Sequence, residues 1–220
     1  MAIRRVTADA WGRLWHGVCD LANGFDGVVF IGGIAVYLHV VAVYDRSSPF
    51  VEFSHDADLY ISLSEFADLR DLEEIVPNPR LSKHQFTRDR IEFDVYVERT
   101  SDLRVPYAEV FRGSVVIEEV RVASLPHLLL LKLDAYQDRG ASAKGRKDER
   151  DIARIITLME VDDSAVKMVA PHLDVEDVRA LERVTRGQAF SDLTAGDLRQ
   201  ARLLRDRYAR KVAQLAEILT

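Results

Sequence analysis

Two aspartates one residue apart, Asp56 and Asp58, open a segment, 57–63, that alternates strictly in polarity. Alternation at period two marks a strand with one buried face, placing Ala57, Leu59, Ile61 and Leu63 on that face and Asp56, Asp58 and Tyr60 on the other. A third aspartate, Asp94, lies in a second alternating segment, 91–97, opposite Ile91, Phe93, Val95 and Val97. Carboxylates on one strand face can approach the same hard cations. Two Mg²⁺ ions about 3.5–4 Å apart can activate an attacking oxygen and stabilise a leaving pyrophosphate, the geometry of phosphoryl and nucleotidyl transfer. An Asp-x-Asp alone is weak evidence, because outward aspartates decorate many solvated strand edges.

A glycine pair supplies what carboxylates cannot. The apolar run 28–31 is broken by Gly32 and Gly33 and resumes over 34–44, which reads as a strand, a turn and a buried helix. Without side chains, Gly32 and Gly33 let backbone N–H groups and a helix N-terminus approach a triphosphate. Taken alone, the pair is better explained by a tight turn packing helix on sheet.

Further along, helix 125–138 carries an apolar stripe of Leu125, Leu128, Leu129, Ala135 and Tyr136 with Lys132 in its middle. A lysine there must snorkel out or meet an anion. In helix 147–160, Asp148 and Asp151 extend the stripe of Ile152, Ile155, Ile156 and Met159. First-turn acids also suit a helix dipole.

The elements that must position these residues follow from the same patterns. Helix 7–23 has Thr7 as a cap and Trp11, Leu14, Trp15, Val18 and Leu21 at helical spacing. A helix is expected over 64–75, stopped by Pro77-Asn78-Pro79. Segments 81–88 and 91–97 form a hairpin around Asp89. A β-rich stretch, 114–122, leads to Ser124-Leu125-Pro126, a helix start with Ser124 as cap. Beyond it come helices at 125–138, 147–160, 163–171, 174–185 and 197–219. The fold class expected is therefore α+β. A mixed-sheet core with flanking helices over 1–123 precedes a helical bundle over 124–220.

The ordered succession FIGGIA (30–35), SHDADLYI (54–61) and IEFDVYV (91–97) resembles the nucleotidyltransferase superfamily with its polymerase-β-like palm. The pair KLDAYQDRG (132–140) and KDERDI (147–152) looks like the helical motifs of the abortive-infection and type IV toxin nucleotidyltransferases. The resemblance spans roughly 28–156. It implies that Asp56 and Asp58 bind metal, that Asp94 binds metal or helps activate the acceptor hydroxyl, and that Gly32, Gly33 and Lys132 contact nucleotide phosphates. One of Asp148 and Asp151 would complete the catalytic set. Two departures stand out: Ile34 occupies a place where many relatives have a serine or threonine, and the stretch from Gly33 to Asp56 is long.

That resemblance implies transfer of a nucleoside monophosphate from an NTP to a hydroxyl acceptor with two Mg²⁺ ions. The toxin-like reading makes the acceptor an RNA, such as a tRNA 3′ end, and the partner an antitoxin. Alternatives are a small-molecule or protein hydroxyl as acceptor, or a degenerate, non-catalytic binding module on the same fold.

Composition narrows the field. A net charge of -6 over 220 residues argues against a protein coated uniformly with nucleic acid. Local basic clusters remain. One holds Arg139, Lys144, Arg146, Lys147, Arg150 and Arg154, with Gly140 and Gly145 in a flexible loop. It could receive triphosphate or an RNA backbone, or be a solvated helix end. The last helix mixes Arg199, Arg202, Arg205, Arg207, Arg210 and Lys211 with apolar residues, as amphipathic surface helices do. His55, beside Asp56, is better explained as a neutral strand-entry residue than as a nucleotide contact. The single cysteine, Cys19, excludes an internal disulfide. No apolar run reaches the ~20 residues that span a bilayer, so no membrane partner and a cytoplasmic location are expected.

Overall fold

The computed structural model describes residues 7–140 and 142–219. It is a mixed α/β protein whose seven-stranded sheet combines parallel and antiparallel pairs. Its contacts divide it into two compact units, residues 7–38 with 52–123, and residues 39–51 with 124–219.

The first unit begins with α1 (Ala8–Gly24), where the Thr7 hydroxyl accepts from the Ala10 amide. Its Gly17 lies so close to β5 (Ile91–Val97) that a Cβ there would come within 2.7 Å of the Phe93 ring. Next come β1 (Val29–Ile31), α2 (Gly32–Val41), β2 (Ala57–Ile61), α3 (Leu63–Leu72), β3 (Val76–Asn78) and β4 (Lys83–Arg88), then β5. After β5 follow α4 (Tyr107–Arg112), β6 (Val115–Ile117) and β7 (Val120–Val122). The strand order is β3-β4-β5-β2-β1-β7-β6, with β2 parallel to β5, β1 parallel to β7 and the other neighbours antiparallel. The central strands β1, β2 and β5 carry the fully buried Val29, Phe30, Leu59, Ile61, Val95 and Val97. Burial of such side chains is the main force holding the sheet.

Two hairpin turns are built without glycine. Asp89 and Arg90 (φ 51° and 65°) join β4 to β5, and Glu118 and Glu119 (φ 49° and 66°) join β6 to β7. Successive left-handed residues match the strand twist, but two non-glycine residues there cost backbone energy. The segment read as a proline stop is strand β3. At the edge of the sheet, Pro77 needs no amide on its open side.

The second unit contains α5 (Leu125–Arg139), α6 (Ala143–Leu158), α7 (Asp163–Val169), α8 (Val175–Arg186), α9 (Ala189–Leu193) and α10 (Leu198–Ala216). Helices α5 and α6 pack together, and α10 lies against α8, α6 and α9. Ile152, Ile155, Ile156, Leu181, Val184, Phe190 and Tyr208 are buried. The Tyr208 hydroxyl donates to the Leu181 carbonyl at 3.1 Å, its ring meets Phe190 edge-on at 5.2 Å, and Asp174 and Asp177 cap α8 reciprocally. Ser124 occupies the cap position of α5, but its hydroxyl turns to the Met168 sulfur at 3.7 Å instead of capping.

Candidate functional site

Within the first unit, the sheet brings Asp58 and Asp94 together. They are register partners on the parallel strands β2 and β5, so their side chains leave the same face. Asp58 is also the partner of Ile31 on β1, and Gly32 follows Ile31 as the first residue of α2. Gly32 has φ +66°, and a Cβ built on it would lie 2.0 Å from Asp58 Oδ2. Glycine is required here twice over, by the left-handed backbone and by the carboxylate. Trp11 and Tyr37 (ring centroids 4.5 Å apart), with Phe53 4.8 Å from Trp11, brace α2 against α1. Asp56 precedes β2 and accepts from the Ser54 hydroxyl at 3.2 Å.

Asp94 is 5% exposed and held at both oxygens. Lys83, itself buried, forms an ion pair with Oδ2, and Gln85 donates to Oδ1 at 2.8 Å. The Gln85 amide is locked in turn, giving a second bond to Glu92 (2.9 Å) and receiving one from Asn78 (2.9 Å). Lys83 and Gln85 are the site residues that sequence reasoning missed. The signal was present: a hairpin closing at Asp89-Arg90 puts Gln85 opposite Asp94, with Lys83 two residues away on the same face.

Could these residues hold Mg²⁺? Aspartate oxygens are the right donors for a hard cation. Among the described residues, however, no three His, Cys, Asp or Glu side chains are gathered as a metal site would gather them. Asp94 is paired here with Lys83. Asp56 and Asp58 would be carboxylate donors to such an ion.

The second unit brings its own trio together. Lys132 Nζ lies 2.9 Å from Asp151 and 3.2 Å from Asp148, and all three are buried. Arg139 reaches Asp148 at 3.1 Å and Arg154 reaches Asp151 at 3.1 Å, giving a chain Arg139–Asp148–Lys132–Asp151–Arg154. Arg154 also donates to the Phe50 carbonyl at 2.8 Å. Burial alone would raise the Asp151 pKa, but Lys132, then Lys147 and Arg154, outweigh it and hold the carboxyl below the usual range.

Helix α6 begins at Ala143 rather than 147, because Ser142 caps it by accepting from the Gly145 amide at 3.0 Å. Asp148 and Asp151 therefore lie beyond the first turn, and ion pairing rather than the helix dipole accounts for their burial. Gly145 is helical, packed so that a Cβ would fall 1.8 Å from the Gly140 carbonyl oxygen, so the expected flexible loop holding both glycines is not formed. A cavity of about 370 Å³ opens beside this segment, lined by Tyr136, Gln137, Gly140, Arg146, Glu149 and Arg183.

Cys19 shows no activation: burial, then the charge of Asp20, push its thiol upward. Among the described residues no helix is long and apolar enough to cross a membrane.

No protein-family model matches the sequence, and no curated protein matches it. Solved structures with a similar chain path include an antigenic nucleotidyltransferase-like protein from Paracoccidioides brasiliensis, at 17% identity and TM-score 0.45, covering 81% of this chain and 93% of that one. Another is JHP933 from Helicobacter pylori, at 16% identity and TM-score 0.46, covering 97% and 93%. The Megavirus polyadenylate synthase matches at 14% identity and TM-score 0.45, covering 79% of this chain and 38% of its own. At such identities and scores none of these likenesses assigns an activity to the chain.

Proposed function

We propose that the chain transfers a nucleoside monophosphate from an NTP to a hydroxyl acceptor. The observation that carries this reading is Gly32: it opens α2 directly against the Asp58 carboxylate. An anion-binding helix start beside a cation-binding carboxylate is what a metal-bound triphosphate needs. In the transfer, the acceptor oxygen bonds to the α-phosphorus, the α–β bridging P–O bond breaks, and pyrophosphate leaves. The acceptor proton passes to a carboxylate or to water. Asp56 and Asp58 would hold Mg²⁺, which supplies charge to offset that developing on the phosphates.

The basic start of α6, with Lys144, Arg146 and Lys147, supports a phosphate-rich acceptor, which we take to be an RNA 3′ end, a tRNA included. With the helical motif pair around Lys132 and Asp151, this makes a toxin held by an antitoxin the physiological setting we propose.

A second reading has one observation in its favour. The ion pair of Asp94 with Lys83 is what a non-catalytic module on this fold would keep once metal is no longer bound.

One experiment separates the two. Purified protein is incubated with Mg²⁺, each α-³²P-labelled NTP and total RNA, alongside Asp58→Ala. Label in RNA with the wild type alone supports transfer and names the nucleotide. Nucleotide binding without transfer to RNA, small alcohols or protein favours the module.

A further inference from the structure

We propose that the cavity lined by α5, α6 and α8 binds a nucleoside 5′-phosphate, with the phosphate held by Arg146 and Arg183. Every residue of its lining belongs to the second unit, so the inference goes beyond nucleotidyl transfer at the strand carboxylates and does not rest on it.

The charges around this cavity are unbalanced. Lys132, Arg139, Arg150, Arg154 and Arg179 stand on the same three helices, and each meets a carboxylate. Arg146 and Arg183, the two cations of the lining, meet none among the described residues. The lining has one carboxylate, Glu149, against these two guanidinium groups. An anion restores the balance, and a guanidinium's forked donors match the oxygens of a phosphate.

The space is larger than a phosphate needs. At about 370 Å³ the cavity falls within the range of small-molecule sites, which begins at roughly 300 Å³. The rest of its lining suits a nucleoside. Tyr136 supplies an aromatic wall, and every base has a face that can stack on one. Burial, then the charge of Glu149, raise the pKa of the Tyr136 hydroxyl against the opposite pull of Arg183, so the hydroxyl keeps its proton at neutral pH and can donate. Gln137 and Glu149 are anchored acceptors. The Gln137 amide donates to Asp177 at 2.8 Å, and Glu149 Oε1 accepts from the Ala189 amide at 3.3 Å. The Gln137 carbonyl and Glu149 Oε2 are left to accept from ribose hydroxyls or a base amine.

Isothermal titration calorimetry of the full chain in EDTA, without added metal, tests the site with AMP, GMP, CMP and UMP beside inorganic phosphate and adenosine. At least one nucleotide should bind with Kd below about 1 mM, and more tightly than phosphate or adenosine. Arg146→Gln and Arg183→Gln should each weaken that binding by about tenfold or more, the worth of one hydrogen bond to a charged group. Arg179→Gln removes the same charge from α8 outside the cavity and should leave the affinity unchanged. All three arginines are exposed, so the core is not disturbed, and circular dichroism checks the fold. A 5′-phosphorylated RNA oligonucleotide that displaces the nucleotide identifies an RNA end as the source, and failure to displace it identifies the free nucleotide; both uphold the cavity. No binding, equal binding of phosphate or adenosine, or equal losses in Arg179→Gln overturns it. Loss of binding in Asp58→Ala would move the nucleotide to the strand carboxylates and overturn it too. Because no metal is added, failure here leaves the label-transfer result of the nucleotidyl-transfer reading untouched.

Discussion

Asp58 Oδ2 stands where the first side-chain atom of residue 32 would be, 2.0 Å from a Cβ built on Gly32. The glycine turn and the Asp58 carboxylate are thus one steric unit: while Asp58 keeps its place, residue 32 has no room for a side chain.

Gly32→Ala is expected to lose both stability and activity. The left-handed backbone alone costs about 1–2 kcal/mol with a side chain present, and displacement of Asp58 adds to it. For a chain of this size about 2 kcal/mol lowers Tm by about 4–8 °C. Gly196→Ala is the comparator, with φ +85° and nothing within 4 Å of the added atom. Calorimetry should show a smaller fall there, and labelled transfer should survive in Gly196→Ala only.

Lys132→Met should destabilise the second unit by about 3–5 kcal/mol, the usual cost of stripping one partner from a buried ion pair. Asp151→Asn should cost more than Asp148→Asn. Asp151 bridges two buried cations, whereas the outer partner of Asp148, Arg139, is 43% exposed. Urea denaturation of the three variants ranks them. Equal losses for the two asparagine variants would contradict the bridging role.

Acid should unfold the wild type partly through Asp151. Its folded pKa is depressed, so its contribution is fully present above the unfolded value of about 3.9 and disappears as pH falls through the folded value. Melting curves from pH 7 down to pH 2 should therefore show Asp151→Asn well below wild type at neutral pH and converging with it in acid. Parallel curves across the range would refute the assignment.

Tyr107 gives the opposite sign. Burial, then the charges of Glu65 and Glu98, push its hydroxyl up to about 12, while that hydroxyl donates to the Gly27 carbonyl at 2.6 Å. The neutral form is favoured by folding, so this stability is present below about pH 10 and lost as pH rises toward the folded pKa. Ultraviolet titration should show one fewer late-ionising tyrosine in Tyr107→Phe. That variant should be less stable at pH 7 by about 1 kcal/mol, the net value of one hydrogen bond.

Much of the site's frame was legible because period-two alternation marks 57–61 and 91–97, both inner strands, although Ser62 and Leu63 leave the strand to cap and open α3, Leu63 is exposed rather than on the buried face, and Tyr60 is buried on the other. Capping chemistry at Thr7 was legible for the same local reason. What escaped was short, or governed by contacts far along the chain. Helices α4 and α9, of six and five residues, are too brief for a helical period to emerge. The early start of α6 was masked by Lys144, Gly145 and Arg146, which resemble a loop until Ser142 is recognised as the cap. Strand β3 was masked by its prolines, which only an edge position tolerates. That Lys132 meets both acids, and that Lys83 takes Asp94, are facts of tertiary packing that no periodicity encodes.

Arg154 finally bears on how the chain can be divided. Its Nε is satisfied by the carbonyl of Phe50, a residue 104 positions earlier. A fragment starting at Ser124 would contain α5 to α10 and still lack that acceptor for the buried Arg154 Nε. Dissection of this protein into independently expressed halves must therefore carry residues 39–51 along with the helices, and a cut that respects only sequence order would sever a piece of the second unit's own interior.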